Sequence, residues 1–296
     1  MQPAVLIYNP RAGSWRNRRL IRSLEEELAT ESLAVEAVAT SGPGNATQLA
    51  RQAVEAGSPL VFALGGDGTL REVAAGLLGS ETVLGALPGG TTNVVVRTLG
   101  LPTEPMAAAR ALKQLPMREI DVGLCGDEVF LMQASLGLDG RILERVSPVA
   151  KRLIGRGAVG LAGLAAWWTY EYPEFEVLVD GHSITASFVA VCNLPLYAGA
   201  YSIAPSADPG DGLLDVVLFR GQGRRETLAF ARDLRVGRHI ERDDVTLLTA
   251  REVVLTDPDI ALQIDGDVVP NRLGTELRLA EAKLRVLAGS TIMGGS

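Results

Sequence analysis

The junction at residues 59–70 constrains this chain more than any other feature. Pro59-Leu60-Val61-Phe62-Ala63-Leu64 is a continuous apolar run. It stops at Gly65-Gly66-Asp67-Gly68-Thr69, and helical spacing follows from Leu70. A strand with no polar alternation is buried on both faces, as in parallel sheets covered by helices. A glycine loop between such a strand and a helix lies at the carboxyl edge of the sheet, where α/β proteins bind ligands. The same junction recurs twice. Ala4–Tyr8 ends at Asn9-Pro10-Arg11-Ala12-Gly13, and Val83–Leu87 ends at Pro88-Gly89-Gly90-Thr91-Thr92-Asn93. Parallel strands bring all three ends to one edge, around a crevice of nucleotide size.

Glycines let backbone N–H groups approach a phosphate, and a helix N-terminus adds a favourable dipole. Thr69 adds a hydroxyl donor. Asp67 repels phosphate, so it makes sense if a divalent cation lies between them or if it orients an attacking hydroxyl. On its own, this loop reads more simply as a glycine turn with Asp67 capping the helix. None of the three loops is a Walker A loop, and no GxGxxG fingerprint occurs.

Helical spacing covers Trp15–Ala29, Asn45–Ala56, Leu70–Leu78, Thr91–Leu99 and Glu104–Leu115, with a further strand at Leu33–Ala39. The expectation is an α/β domain over residues 1–118, with a parallel sheet and helices on both faces. Past Pro116 the pattern changes to strand-like runs: Glu128–Leu136, Phe175–Val179, Ser187–Cys192, Leu213–Phe219, Glu252–Leu255 and Leu277–Val286. Asp180-Gly181, Asp211-Gly212 and Asp265-Gly266 are turn signals among them. This predicts an antiparallel β domain over 119–286, interrupted by helices at Val149–Tyr170 and Arg224–Val236. The length of 296 residues suits two domains.

The formal net charge of −7 leaves no basic field for a nucleic acid. Cys125 and Cys192 lie in apolar runs and read as buried thiols. Two histidines are too few for a His-rich metal site. No uncharged stretch reaches the ~18 residues of a membrane span, and the first residues lack the pattern of a secretory leader. The expected location is the cytoplasm, with peripheral contact at the inner face of the membrane.

The order of these motifs resembles the diacylglycerol kinase catalytic-domain superfamily, the bacterial lipid kinases related to diacylglycerol and sphingosine kinases. The resemblance runs through Asn9-Pro10-x-x-Gly13, Gly65-Gly66-Asp67-Gly68-Thr69 with Glu72-Val73, and Pro88-x-Gly90-Thr91-x-Asn93. It continues through Asp121-Val122-Gly123, Ser135-Leu136-Gly137-Leu138-Asp139, Asp211-Gly212-Leu213-Leu214-Asp215 and Asp265-Gly266-Asp267. It implies an N-terminal domain like that of phosphofructokinase and NAD kinase, and a C-terminal β-sandwich. It also implies a return of residues 287–296 to the first domain. The implied activity is transfer of the γ-phosphoryl group of ATP, with Mg2+, to a hydroxyl of a membrane lipid such as diacylglycerol.

The resemblance assigns Asn9, Pro10, Gly13, Gly65, Gly66, Gly68, Thr69, Glu72, Gly90, Thr91 and Asn93 to the nucleotide. Asp67, Asp121 and Asp267 join a magnesium network. Asp265 takes the position proposed for the general base in bacterial relatives, although Asp265-Gly266 alone reads as a hairpin turn. Asp67 is the other candidate for that role. Asp211 and the backbone of Leu214 match a second, structural metal site. Relatives also imply a homodimer. The chain departs from the family pattern at Ala12, Ser14, Ala75, Val94 and Asp267. Two other functions stay open: an NAD kinase-like small-molecule kinase, and a catalytically inactive nucleotide-binding regulator.

Lys151-Arg152-Leu153-Ile154-Gly155-Arg156 and Trp167-Trp168-Thr169-Tyr170 flank a small apolar stretch. Basic residues and interfacial aromatics suit a peripheral membrane helix, whereas the missing polar face favours a helix packed on the β domain. This segment or its neighbours are expected to form a lipid entry lip.

Overall fold

The computed structural model describes residues 2–12, 18–145, 165, 167–197 and 201–289. The chain divides into two compact units, Met1–Val122 with Ala280–Ser296, and Gly123–Leu279.

The first unit contains β1 (Gln2–Tyr8), α1 (Arg18–Leu28), β2 (Leu33–Ala39), α2 (Asn45–Glu55), β3 (Leu60–Gly65), α3 (Asp67–Leu77), β4 (Val83–Pro88), α4 (Val94–Thr98), α5 (Pro105–Leu112) and β5 (Met117–Ile120). A returning strand, Leu284–Leu287, completes its sheet in the order β2-β1-β3-β4-return-β5. All neighbours pair in parallel except β5, which runs antiparallel to the returning strand. The unbroken apolar runs of β3 and β4 are almost wholly buried. Helix α1 turns Ile21, Leu24 and Leu28 inward, the spacing of one helical face. Helices α2 and α3 meet closely at Gly76, where a Cβ would come within 2.6 Å of Ala50.

The helix expected over Thr91–Leu99 is confined to α4. Asn93 has a φ of 48°, so the chain turns through the left-handed region before the helix starts.

The second unit contains β6 (Gly123–Cys125), β7 (Glu128–Phe130), β8 (Gln133–Leu136), α6 (Leu138–Arg145), β9 (Phe175–Val179), β10 (His182–Ala186), β11 (Phe188–Cys192), β12 (Leu196–Tyr197) and β13 (Tyr201–Ser202). Then follow β14 (Leu214–Phe219), α7 (Gly223–Arg235), β15 (Val245–Ala250), β16 (Glu252–Leu255), β17 (Leu262–Ile264), β18 (Asp267–Val269) and β19 (Glu276–Leu279). Two six-stranded sheets form, ordered β10-β9-β16-β19-β6-β7 and β15-β14-β11-β8-β17-β18. Their pairings are antiparallel. Phe130, Val177, Val189, Val216, Val253 and Leu277 belong to one shared core. A second cluster, with Phe188, Phe219, Phe230 and Leu234, packs α7 onto the outer side of β11 and β14.

Two expected strands divide. Glu128–Leu136 splits into β7 and β8, because the backbone at Leu131 and Met132 turns to another partner. Leu277–Val286 splits into β19 and the returning strand, because the chain changes units there. Both cysteines are free and buried, and burial pushes the Cys125 thiol up to about 11. Gly13 and most of the Val149–Tyr170 stretch lie outside the described residues. Among the described residues no helix is long and apolar enough to cross a membrane.

Candidate functional site

In the first unit, the loops after β3 and β4 lie backbone against backbone. The Gly89 N–H donates to the Gly65 carbonyl at 2.8 Å. A Cβ on Gly89 would meet the Gly65 backbone at 2.8 Å, and one on Gly90 would meet the Gly66 Cα at 2.6 Å. Only glycine permits this approach. Gly66 caps α3, with Asp67 in its first turn, where negative charge is favoured. Asp67 does not cap its own helix. Its buried carboxylate accepts the Thr92 hydroxyl at 3.0 Å and the Val95 N–H at 3.0 Å. It therefore fastens the β3 loop to the start of α4.

Asn93 closes its own loop. Its side chain accepts the Gly90 N–H at 2.8 Å and donates to the Gly90 carbonyl at 3.1 Å. Asn9 accepts the Arg11 N–H and donates to the Thr69 hydroxyl at 3.3 Å, tying the β1 loop to α3. Pro10 stands in that turn, Gly68 in the first turn of α3, and Thr91 is exposed on the β4 loop. The structure thus gathers Asn9, Gly65, Gly66, Asp67, Thr69, Gly90 and Asn93 at the carboxyl edge. Glu72 does something else: its carboxylate accepts the Ala46 N–H at 3.2 Å, so it caps α2 from α3. Asp121, also buried, lies 3.0 Å from the Lys283 ammonium, which arrives with the returning strand.

In the second unit, Asp265-Gly266 is the two-residue turn between β17 and β18, with φ of 49° and 87°. Positive φ at both positions is the hairpin geometry that Asp-Gly favours. The carboxylate has a further job. It accepts the backbone N–H of Leu131 at 2.7 Å, Met132 at 2.9 Å and Gln133 at 3.0 Å. This is the partner that breaks the strand between β7 and β8. Asp267 opens β18 and is exposed.

Asp211 accepts the Leu213 N–H at 2.9 Å in the turn before β14, whose first residue is Leu214. Burial raises the pKa of the adjacent Asp215, and the Asp211 and Asp208 charges raise it further. Among the described residues no three His, Cys, Asp or Glu side chains form a metal-holding group, at Asp211 or elsewhere.

The second unit also has a half-open pocket of about 170 Å³. Leu138 and Ile142 of α6, Phe188, Phe219, Ile203, and Phe230 and Leu234 of α7 make its wall apolar. Among the described residues of that wall, Asp139 is the one charged residue. Burial raises its pKa, against hydrogen bonds from Ser135, the Gly140 N–H, Tyr197 and Gln263. The Tyr197 hydroxyl reaches it at 3.3 Å and the Gln263 amide at 3.4 Å, and the Ser135 hydroxyl is bonded to the same oxygen. Burial, and then the Asp139 charge, hold Tyr197 well above its usual range.

Sequence reasoning placed Asp139 in a motif without a role, and missed Thr92, Lys283 and Tyr197. The signal for Asp139 is a lone carboxyl in an apolar frame, Leu136-Gly137-Leu138-Asp139. Nothing local marks the other three.

A parallel α/β unit with abutting glycine loops, joined to an antiparallel β unit, defines a two-part kinase architecture. Residues 3–125 match the diacylglycerol kinase catalytic domain, and residues 132–288 match the YegS C-terminal NAD kinase beta sandwich-like domain. The chain belongs to this family of lipid kinases. It is 39% identical over 183 residues to a Chromohalobacter salexigens protein named "Probable lipid kinase YegS-like", a match spanning 60% of this chain and 59% of that one. It is 30% identical over 252 residues to a Mycobacterium tuberculosis diacylglycerol kinase, spanning 82% and 81%. A diacylglycerol kinase crystal structure from Bacillus anthracis superposes with a TM-score of 0.70 at 19% identity, covering 98% of this chain and 97% of that one. That last likeness concerns the fold.

Proposed function

We propose that this protein transfers the γ-phosphoryl group of ATP, with Mg2+, to the hydroxyl of a diacylglycerol-like membrane lipid. The observation that carries the acceptor class is the pocket of the second unit: its described residues form an apolar wall with one carboxyl, Asp139, and the Tyr197 hydroxyl beside it. An acyl chain gains by leaving water for such a wall, by ~0.8 kcal/mol for each buried CH₂. Tyr197, whose proton goes to Asp139, keeps an oxygen lone pair that can accept from a glycerol hydroxyl. A small polar acceptor, such as that of an NAD kinase, has no use for this wall.

The nucleotide belongs to the glycine loops of the first unit. The Gly66 loop and the start of α3 present N–H groups and a positive dipole end to phosphate. Asn9 and Asn93 hold the flanking loops rigid through their hydrogen bonds, so these donors need not reorganise during the reaction. Magnesium, when bound, would neutralise charge on the transferring phosphoryl group; Asp67 and Asp121 of the first unit supply carboxylates for it. Phosphoryl transfer depends mainly on positioning and charge neutralisation, so a carboxylate base of ordinary strength suffices.

The test is transfer of label from γ-labelled ATP, with magnesium, to a mixed lipid extract in micelles. Chromatography identifies the product, and Asp67→Asn is the control. A labelled lipid that disappears in the control supports the proposal and names the acceptor. Intact ATP binding with no labelled lipid overturns it, in favour of a soluble acceptor or a regulator.

A further inference from the structure

Helix α7 segregates its side chains around its circumference. Phe230 and Leu234 are buried and, with Thr227 and Ala231, line the pocket. Arg225, Leu228, Arg232 and Arg235 recur at helical spacing on the outward side, and all four are exposed. Leu228 is 60% exposed, and Val236 just beyond the helix is 63% exposed. The two acids of the helix, Glu226 and Asp233, lie seven residues apart on a different flank. Asp233 pairs with Arg242 at 2.8 Å and with Arg232 at 2.9 Å. The helix therefore carries four arginines against two acids, on a chain whose net charge is −7.

Trp168 extends this face. It is 61% exposed, and the Arg224 guanidinium sits 4.6 Å from its ring centroid. The Arg224 side chain donates to the Trp168 carbonyl, and the Trp167 indole N–H donates to the Arg224 carbonyl at 3.1 Å. The tryptophan is thus fastened beside α7 with its ring toward solvent.

We propose that the outer face of α7, with Trp168, is the surface by which this protein docks on an anionic lipid membrane. Arginines, exposed aliphatic side chains and an interfacial tryptophan on one helix face are the complement of anionic headgroups over an acyl layer. Their concentration on an acidic chain points away from general charge attraction and toward this one face. The buried side of the same helix lines the apolar pocket, so docking here sets the membrane against the helix that lines it. For its purpose the proposal rests on the lipid-kinase reading, but its test needs no turnover, so either can fail alone.

The experiment is vesicle sedimentation of the full-length protein, without nucleotide. Phosphatidylcholine vesicles with and without phosphatidylglycerol are compared at low and high salt. The wild type is expected to bind only the phosphatidylglycerol vesicles, with binding weakened by salt. The variant R225Q/R232Q/R235Q is expected to lose about fivefold per arginine, on the order of a hundredfold in all. R225Q/R235Q, which spares the ion pair of Arg232 with Asp233, is expected to lose on the order of twentyfold. L228S is expected to weaken binding without changing its salt dependence. R22Q/R51Q/R251Q, an equal charge change at exposed sites elsewhere, is expected to bind as the wild type does. Circular dichroism checks that each variant is folded. The proposal is overturned if the wild type binds no anionic vesicle, or if the α7 variants bind as tightly as the control variant. A loss of vesicle binding together with unchanged phosphorylation of a micellar lipid supports docking as a function separate from catalysis.

Discussion

Asp265 offers a test in which structure and chemistry separate. Its carboxylate accepts three backbone N–H groups, those of Leu131, Met132 and Gln133, at 2.7–3.0 Å. In Asp265→Asn the amide oxygen can keep the Met132 and Gln133 donors, which share one oxygen in the wild type. The amide nitrogen then faces the Leu131 N–H, donor against donor. One buried N–H left without an acceptor costs about 2 kcal/mol. For a unit of this size that is a fall of about 4–8 °C in Tm. Asp265→Ala strands all three donors and places a Cβ-bearing residue with no polar compensation at φ 49°. Its loss is expected to be roughly three times larger, about 6 kcal/mol. Calorimetry should rank wild type above Asn above Ala, with the transition of the second unit moving and that of the first unchanged. An Ala variant melting within ~2 °C of the wild type would refute the reasoning, since no buried N–H would then depend on Asp265. Turnover per folded molecule, measured well below each Tm, separates any direct role in phosphoryl transfer from this clamp.

Three other perturbations probe different parts of the molecule. Gly90→Ala puts a Cβ 2.6 Å from the Gly66 Cα; it should cost about 1–3 kcal/mol and weaken ATP binding at least tenfold by titration calorimetry. Asp67→Asn can keep both partners, accepting from Val95 and donating to Thr92, so its Tm should stay within ~2 °C while turnover drops by at least ~100-fold; Asp67→Ala should lose about 1–3 kcal/mol besides. His239 is fully buried, with one ring nitrogen bonded to the Ile203 carbonyl at 2.7 Å and Nδ1 unpartnered, and burial lowers its pKa below 6.5. The native state then binds its proton less readily than the unfolded chain, so stability rises with pH through this range and is lost as pH falls below 6.5; urea unfolding between about pH 5 and about pH 7.5 should show that slope in the wild type and lose it in His239→Gln.

The first unit was the more legible in sequence, for a physical reason. Its strands are buried on both faces, so β3 and β4 carry unbroken apolar runs, and its loops need glycine because two backbones touch. Those are local demands, and local sequence records them. The second unit depends on partners far apart in the chain. Leu131 and Met132 are as apolar as their neighbours, so nothing nearby marks the break between β7 and β8. The cause is a carboxylate 133 residues away from Met132. Likewise, Leu277 and Leu279 alternate in one sheet and Leu284 and Val286 in another, and the phase slips by one residue where the chain crosses. That slip, with Glu281 and Lys283, marks the crossing, but the partner of Lys283, Asp121, lies on the other side of the whole β unit in sequence. The Asp139 environment was hidden for the same reason, because Ser135, Tyr197 and Gln263 meet it from three separate elements.

The same hydrogen bonds bear on which carboxylate serves the acceptor hydroxyl. An ionised carboxylate has about four lone-pair positions. Asp265 gives at least three of its own to the main chain, whereas Asp67 gives one to Val95 and one to Thr92. Asp67 thus keeps more acceptor capacity, and its two anchors fix the direction in which that capacity points. Its place in the first turn of α3 also puts it beside the N–H groups best suited to phosphate. This favours Asp67 as the residue that positions the hydroxyl or its metal, with Asp265 shaping the hairpin from which Asp267 extends. On that reading Asp67→Asn loses far more turnover per folded molecule than Asp265→Asn, and the stability ranking runs the other way. Equal losses of turnover at matched folding would refute the assignment.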